Sequence, residues 1–335
     1  MAPTMAIGRL RSDSSTMKLF APALSAIIAN KVAESLGTRL AASEEREFDG
    51  GEHKMRPLED VRGQDAFVIH SLCGSAEASA NDRLCRLLFF VGALKDAGAR
   101  RVTAVVPYLA YARKDRRTQP LDPVTTRYVA AMFEAVGVDC VVVLDVHNDA
   151  AFDNAFRIQT VRVEAAETFA AAVASRVGER RVVIASPDVG GIKRAQKFRE
   201  IVNRELGRDS DFAFVEKRRA GGVVSGDALV GSVEDADVVY YDDMIASGTT
   251  LVRAVGAARR AGARRIHVAA PHAAFLPAAS QLFQPDGPET VMVSDSVTLH
   301  AAFTPFLQGS LQVCSVAPLL ARTIADLVAW TIGCA

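Results

Sequence analysis

Short apolar runs rich in β-branched residues recur along the chain and alternate with alanine-rich stretches that read as helices. The runs are Met17 to Phe20, Ala66 to His70, Val102 to Pro107, Val141 to Val146, Val182 to Ala185, Val238 to Tyr241 and Ile266 to Ala270. Strands alternating with helices predict an α/β fold of parallel sheets built from βαβ units. Residues 1–16 break this pattern: Ser12, Asp13, Ser14, Ser15 and Thr16 carry little apolar periodicity, which predicts a loose tail before the first strand.

One part of the pattern repeats. Ala97-Gly-Ala-Arg-Arg-Val-Thr-Ala-Val-Val-Pro107 closely resembles Ala261-Gly-Ala-Arg-Arg-Ile-His-Val-Ala-Ala-Pro271, and both read as helix end, glycine cap, basic pair, buried strand and proline. Such segments are common in α/β proteins, but with αβ alternation on both sides they predict two similar halves. Their joint is expected within 155–165, where Arg157-Ile-Gln-Thr-Val-Arg162 separates the first strands from the next helix.

Composition narrows the partners. The 335 residues are 50% apolar, more than one compact core usually organises, so two domains are expected. Lys plus Arg equals Asp plus Glu at 39 each, so no overall field favours nucleic acid or an acidic membrane, and small molecules or other chains are the expected partners. Cys73, Cys85, Cys140, Cys314 and Cys334 form no CxxC pair and mostly sit in apolar runs, as free thiols do in a reducing cytoplasm. No run approaches the roughly 18 uninterrupted apolar residues of a membrane span.

The strongest chemical signal is Val238-Val-Tyr-Tyr-Asp-Asp-Met-Ile-Ala-Ser-Gly-Thr-Thr250: an apolar strand, two acids, a loop of small residues, then a helix. Backbone N–H groups of Ala246, Ser247, Gly248, Thr249 and Thr250 can converge on a phosphate at the positive end of that helix, with three hydroxyls added. Gly248 permits close approach. Asp242 and Asp243, at the carboxyl end of the strand, are placed to accept hydrogen bonds from the vicinal hydroxyls of a ribose 5-phosphate. The competing interpretation is a solvated Asp-Asp turn with Ser and Thr capping a helix.

This segment resembles the phosphoribosyl-diphosphate motif shared by type I phosphoribosyltransferases and ribose-phosphate pyrophosphokinases. Phe48-Asp-Gly-Gly-Glu52, Val61-Arg-Gly63, Val106 to Arg117, Asp145-Val-His147, Ser186-Pro-Asp-Val-Gly-Gly191 and Glu216-Lys-Arg-Arg219 resemble the motifs of the pyrophosphokinases, in their order. The resemblance runs from about residue 17 to the C-terminus. It implies two type I phosphoribosyltransferase-like domains, 17–160 on the ATP side and 161–314 on the ribose 5-phosphate side, with the terminal helix in 315–335 returning to the first. It further implies transfer of the pyrophosphoryl group of ATP to ribose 5-phosphate with Mg2+, and a homo-oligomer built from dimers.

By the same resemblance, Lys217 and Arg219 are the catalytic basic pair on a flap, and His147 and Asp188 bind the metal. Phe48 and Glu52 receive adenine, and Arg113 with Lys114 receives the triphosphate. Three positions depart from the pattern: Gly50 stands where the family usually has Asp, Lys114 where it has Gln, and Ala246 where it commonly has Asp. The segment 118–126 is shorter and less basic than in allosteric members. The departures leave a non-catalytic regulatory subunit as an alternative to an active pyrophosphokinase, and the shared loop leaves a type I phosphoribosyltransferase as another.

Overall fold

The computed structural model describes the backbone of residues 17–220 and 223–333, and the side chains of all of these except 217–220, 223–227 and 331–333. The first domain runs β1 (Met17–Phe20), α1 (Ala26–Ser35), β2 (Ser43–Glu47), β3 (His53–Pro57), β4 (Asp65–Ile69), α2 (Ala80–Asp96), β5 (Arg101–Val106), α3 (Thr125–Ala135), β6 (Cys140–Leu144), α4 (Asp149–Ala155) and β7 (Gln159–Val163). The second continues with α5 (Ala166–Val177), β8 (Val182–Ser186), α6 (Ile192–Leu206), β9 (Asp211–Ala220), β10 (Val223–Val230), β11 (Asp237–Tyr241), β12 (Met244–Ile245), α7 (Thr249–Arg260), β13 (Arg265–Ala270), β14 (His272–Ala273), β15 (Thr290–Ser294) and β16 (Leu311–Cys314). The chain closes with α8 (Ala317–Gly333).

The first sheet has the order β1-β4-β5-β6-β7, all parallel, and the second the order β10-β9-β8-β11-β13-β15-β16, parallel except for the β9–β10 hairpin. Strands β4, β6, β8 and β11 are buried along their whole length, which is why they read as unbroken apolar runs. The repeated segments occupy equivalent places. Each follows a helix, Gly98 (φ +87°) and Gly262 (φ +82°) turn the chain in the left-handed region, and the next residues enter β5 or β13.

Successive strand residues face opposite sides, and the core divides accordingly. Val142 and Leu144 join a shared layer with α1, α5, α6 and α8, whereas Val141 and Val143 face α2 and α3. Leu320, Ile324 and Leu327 of α8 lie in that shared layer with Ile28 and Val32 of α1. The terminal helix therefore rests on the first domain. The segment Arg157 to Arg162, expected as the joint, is mostly strand: β7 pairs with β6 and carries the first sheet to Val163, past the boundary at 160. Arg162 is exposed and ion-paired with Asp149 (2.7 Å) and Asp153 (3.3 Å), a pairing that hydropathy does not reveal.

Candidate active site

The order of the second sheet places its crevice. From β8 the chain passes through α6 to β9 on one side, and from β11 through α7 to β13 on the other. Connections that leave in opposite directions open a gap at the carboxyl ends of β8 and β11, where parallel sheets bind ligands. A cleft of about 1000 Å³ lies there, lined by Asp188, Arg194, Asp242, Asp243 and residues 246–250 of the second domain. The first domain contributes Arg113, Asp115 and His147.

Each motif residue has a local reason for its place. After β8, Ser186 Oγ donates to the Asp188 carbonyl (2.6 Å), and Asp188 Oδ1 accepts from the Gly191 N–H (3.1 Å), capping the turn into α6. A Cβ on Gly191 would stand 2.7 Å from Ser186 Oγ and would displace that hydroxyl from its bond to the Asp188 carbonyl. After β11, Gly248 takes φ +73° at the entrance to α7, with Leu282 Cδ1 3.0 Å from where a Cβ would be. Ser247 Oγ and Thr249 Oγ1 are 3.1 Å apart at this open helix start. The loop is further fixed by Leu276 N–H donating to the Ala246 carbonyl (3.0 Å).

The acid pair is asymmetric. Asp243 is buried, and its N–H donates to Asp242 Oδ1 at 2.9 Å. Arg194, in the first turn of α6, places Nη1 3.4 Å from Asp242 Oδ1 and 3.7 Å from Asp243 Oδ1. Burial, then the neighbouring Asp243 charge, pushes the Asp242 carboxyl up to about 8. Burial also opposes ionisation of Asp243, but Arg194, the bond to Asp242 and Arg113 outweigh it and hold that carboxyl below its usual range. One acid therefore stays charged while the other holds its proton near neutral pH.

Across the cleft, His147 Nδ1 lies 3.4 Å from Asp115 Oδ2, whose side chain is only 3% exposed. This contact orients the ring and leaves Nε2 for the cleft. The preceding turn has Asp145 in the left-handed region (φ +42°), its carboxylate accepting from the Ala165 N–H at 2.8 Å. Burial drives the Asp145 carboxyl up to about 7.

The structure thus brings Asp242, Asp243, Ala246 to Thr250, Asp188, His147 and Arg113 to one cleft, and leaves three expected residues outside its lining. Phe48 and Glu52 are exposed in the β2–β3 hairpin loop, where the Arg46 guanidinium lies 4.9 Å from the Phe48 ring centre. Lys114 is exposed in the turn after Arg113. Lys217 and Arg219 fall in β9, and their side chains lie outside the described residues. Sequence reasoning missed Arg194, Asp115 and Asp145. Asp145 and Asp115 lay inside recognised motifs, Asp145-Val-His147 and Val106 to Arg117, without a role of their own, and the signal for Arg194 was its place three residues past Gly191.

Residues 17–137 match the family described as the N-terminal domain of ribose phosphate pyrophosphokinase, and residues 155–301 match the phosphoribosyl transferase domain. The chain is 33% identical over 310 residues to the ribose-phosphate pyrophosphokinase of Haemophilus influenzae, covering 92% of this chain and 95% of that one. It is 35% identical to that of Vibrio parahaemolyticus, with the same coverage. A crystal structure of phosphoribosylpyrophosphate synthetase from Mycobacterium smegmatis superposes with a TM-score of 0.84 at 30% identity, covering 93% of this chain and 98% of that one.

Proposed function

The chain belongs to the ribose-phosphate pyrophosphokinase family and is an enzyme of that type, and from this premise we propose that it transfers the pyrophosphoryl group of ATP to ribose 5-phosphate, supplying nucleotide biosynthesis. The observation that carries the reading is the single cleft in which an acid pair and a phosphate loop of one domain face Arg113 and His147 of the other. The loop 246–250 receives the 5-phosphate through backbone N–H groups, so Ala246 costs little where a side-chain acceptor is absent. Asp243, ionised, and Asp242 take the vicinal hydroxyls. This seats the C1 hydroxyl toward the first domain, where Arg113 receives the triphosphate.

In the reaction the C1 oxygen forms a bond to the β-phosphorus of ATP, and the bond from that phosphorus to the oxygen bridging the α-phosphate breaks. AMP leaves with the electron pair, and the C1 hydroxyl proton passes to solvent. Positioning and charge stabilisation suffice for this chemistry. By the family pattern, Lys217 and Arg219 of β9 offset charge on the transferring group.

The donor set also suits Mg2+. Among the described residues no cluster of three or more His, Cys, Asp or Glu side chains forms a complete metal cage. His147 and Asp188 line the same cleft; Mg2+ is characteristically held through one or two carboxylates with substrate phosphates and waters completing its shell, a part Asp188 fits by its chemistry and His147 by the family pattern. His147 through Nε2 and Asp188 through the oxygen not used in capping would hold it. When bound, the ion would supply positive charge that offsets the negative charge of the triphosphate. The adenine-loop residues Phe48 and Glu52, exposed and away from this cleft, fit a role at a neighbouring protomer of a homo-oligomer built from dimers. The described cysteines are free, and no described helix is long and apolar enough to cross a membrane; both support assignment to the cytoplasm.

The test is AMP release from Mg-ATP by the purified protein with and without ribose 5-phosphate, the sugar product being followed by phosphorus NMR. Sugar-dependent AMP with a C1 diphosphate is expected. Absence of that product with both substrates at saturation would overturn the proposal.

A further inference from the structure

We propose that Arg194 is a positioning residue that locks the sugar-binding acids and the His147 turn into one register across the domain boundary. The inference rests on the reading that Asp242 and Asp243 receive the sugar hydroxyls. Arg194 is in the second domain, and its side chain is three-quarters buried. Nη1 faces Asp242 Oδ1 and Asp243 Oδ1, while Nη2 donates to the His147 carbonyl of the first domain at 3.1 Å. The planar fork allows one side chain to serve both directions at once.

The His147 turn needs such support. Asp145, one of the few non-glycine residues with positive φ, sits in a conformation that persists only when its surroundings determine it. Second-domain side chains hold the turn on both flanks. His272 Nε2 lies 3.0 Å from the Leu144 carbonyl and 3.2 Å from that of Asp145, and Arg194 takes the carbonyl of His147. Asp115 then steers the ring from the first domain. His272 meets the acid pair only through backbone, its N–H donating to the Asp243 carbonyl at 3.3 Å. Of these side chains Arg194 is the one that reaches the carboxylates themselves, so it connects sugar seating to the placement of His147.

The role predicts a split that folding alone does not produce. In the full-length protein, Arg194→Met should weaken ribose 5-phosphate binding, measured by calorimetry, by about tenfold, the worth of a charge-assisted hydrogen bond. It should lower kcat by about a hundredfold, as sub-ångström register is lost. Arg194→Lys restores a cation beside the acids but cannot fork. Its affinity should return to within about threefold of the parent, while kcat stays at least about tenfold low. A Met variant with both constants within about twofold of the parent would overturn the inference. So would a Lys variant that recovers both constants together or neither, and this variant decides alone if the Met variant does not fold. A parent that fails to bind ribose 5-phosphate would instead refute the assignment of the acid pair, a result separable from failure at Arg194.

Discussion

Asp242→Asn is expected to make the ligand-free protein more stable at alkaline pH while weakening its hold on the sugar. The folded chain keeps the Asp242 carboxyl protonated up to about pH 8, whereas an unfolded aspartate releases its proton near 3.9. The folded state therefore binds one more proton through that window. Stability from this group is complete below about pH 4 and is lost as pH rises through about 8. A displacement from 3.8 to about 8 sets a ceiling of roughly 5–6 kcal/mol at about 1.4 kcal/mol per unit. Arg194 still favours the ionised form, and the Asp242 side chain is 21% exposed, so about 2 kcal/mol is the expected net effect. Asp243 titrates together with Asp242 and shifts when that neighbour is replaced, so the difference reports the pair, whereas Arg113, His147 and the raised Asp145 are common to both proteins. Urea unfolding at pH 5, 7 and 9 with constant m should show the Asn variant gaining on the parent by about 2 kcal/mol across the range. Calorimetry at pH 9, where the Asp242 carboxyl is ionised and offers two acceptor oxygens, should show the Asn variant's ribose 5-phosphate affinity about tenfold weaker, because the amide offers one. Parallel stability profiles for the two proteins would refute the view that Asp242 holds a proton in the folded state.

Three further perturbations test other parts of the cleft. Gly248→Ala should lower stability by about 1–2 kcal/mol, from the left-handed φ and the 3.0 Å approach to Leu282, and should weaken sugar-phosphate binding; unfolding and inorganic-phosphate competition report the two effects. Lys217→Ala should cut kcat strongly with ribose 5-phosphate affinity nearly unchanged, and unaltered turnover would remove its assigned role. Asp115→Asn loosens the carboxylate that orients His147, so the Mg2+ concentration for half-maximal nucleotide binding should rise about 10–100-fold, read by fluorescent-nucleotide titration.

The repeating strands were legible because they are buried on both faces and so cannot alternate. The Gly98 and Gly262 turns were legible because helix ends need a residue that tolerates positive φ. The loop 246–250 was legible for the same kind of reason: local backbone geometry, such as the positive φ of Gly248, dictates local residue types. Strand β7 was hidden because it lies at a sheet edge, with Arg162 neutralised by acids of α4 instead of removed from the surface. Arg194 was hidden because its meaning depends on residues 47 and 48 positions away, one in each direction. In sequence it is one more cation on an amphipathic helix. Phe48, Glu52 and Lys114 show the opposite case: each matches or adjoins a motif, yet none lines the cleft within this chain.

The two sheets also explain why the chemistry needs both halves. Among the described strands of the first sheet the order runs in one direction from β1 to β7, so successive crossovers leave toward the same side and these strands open no switch-point crevice. In the second, the order reverses between β8 and β11, and the crevice there already holds the acid pair and the phosphate loop. A duplicated unit without its own crevice can still present side chains from its strand ends to its neighbour's. Arg113 after β5 and His147 after β6 do this, and the shared layer of α1, α5, α6 and α8 holds the sheets in the required relation. On this view the second domain alone should seat the sugar phosphate, and only the intact pair should present ATP to it.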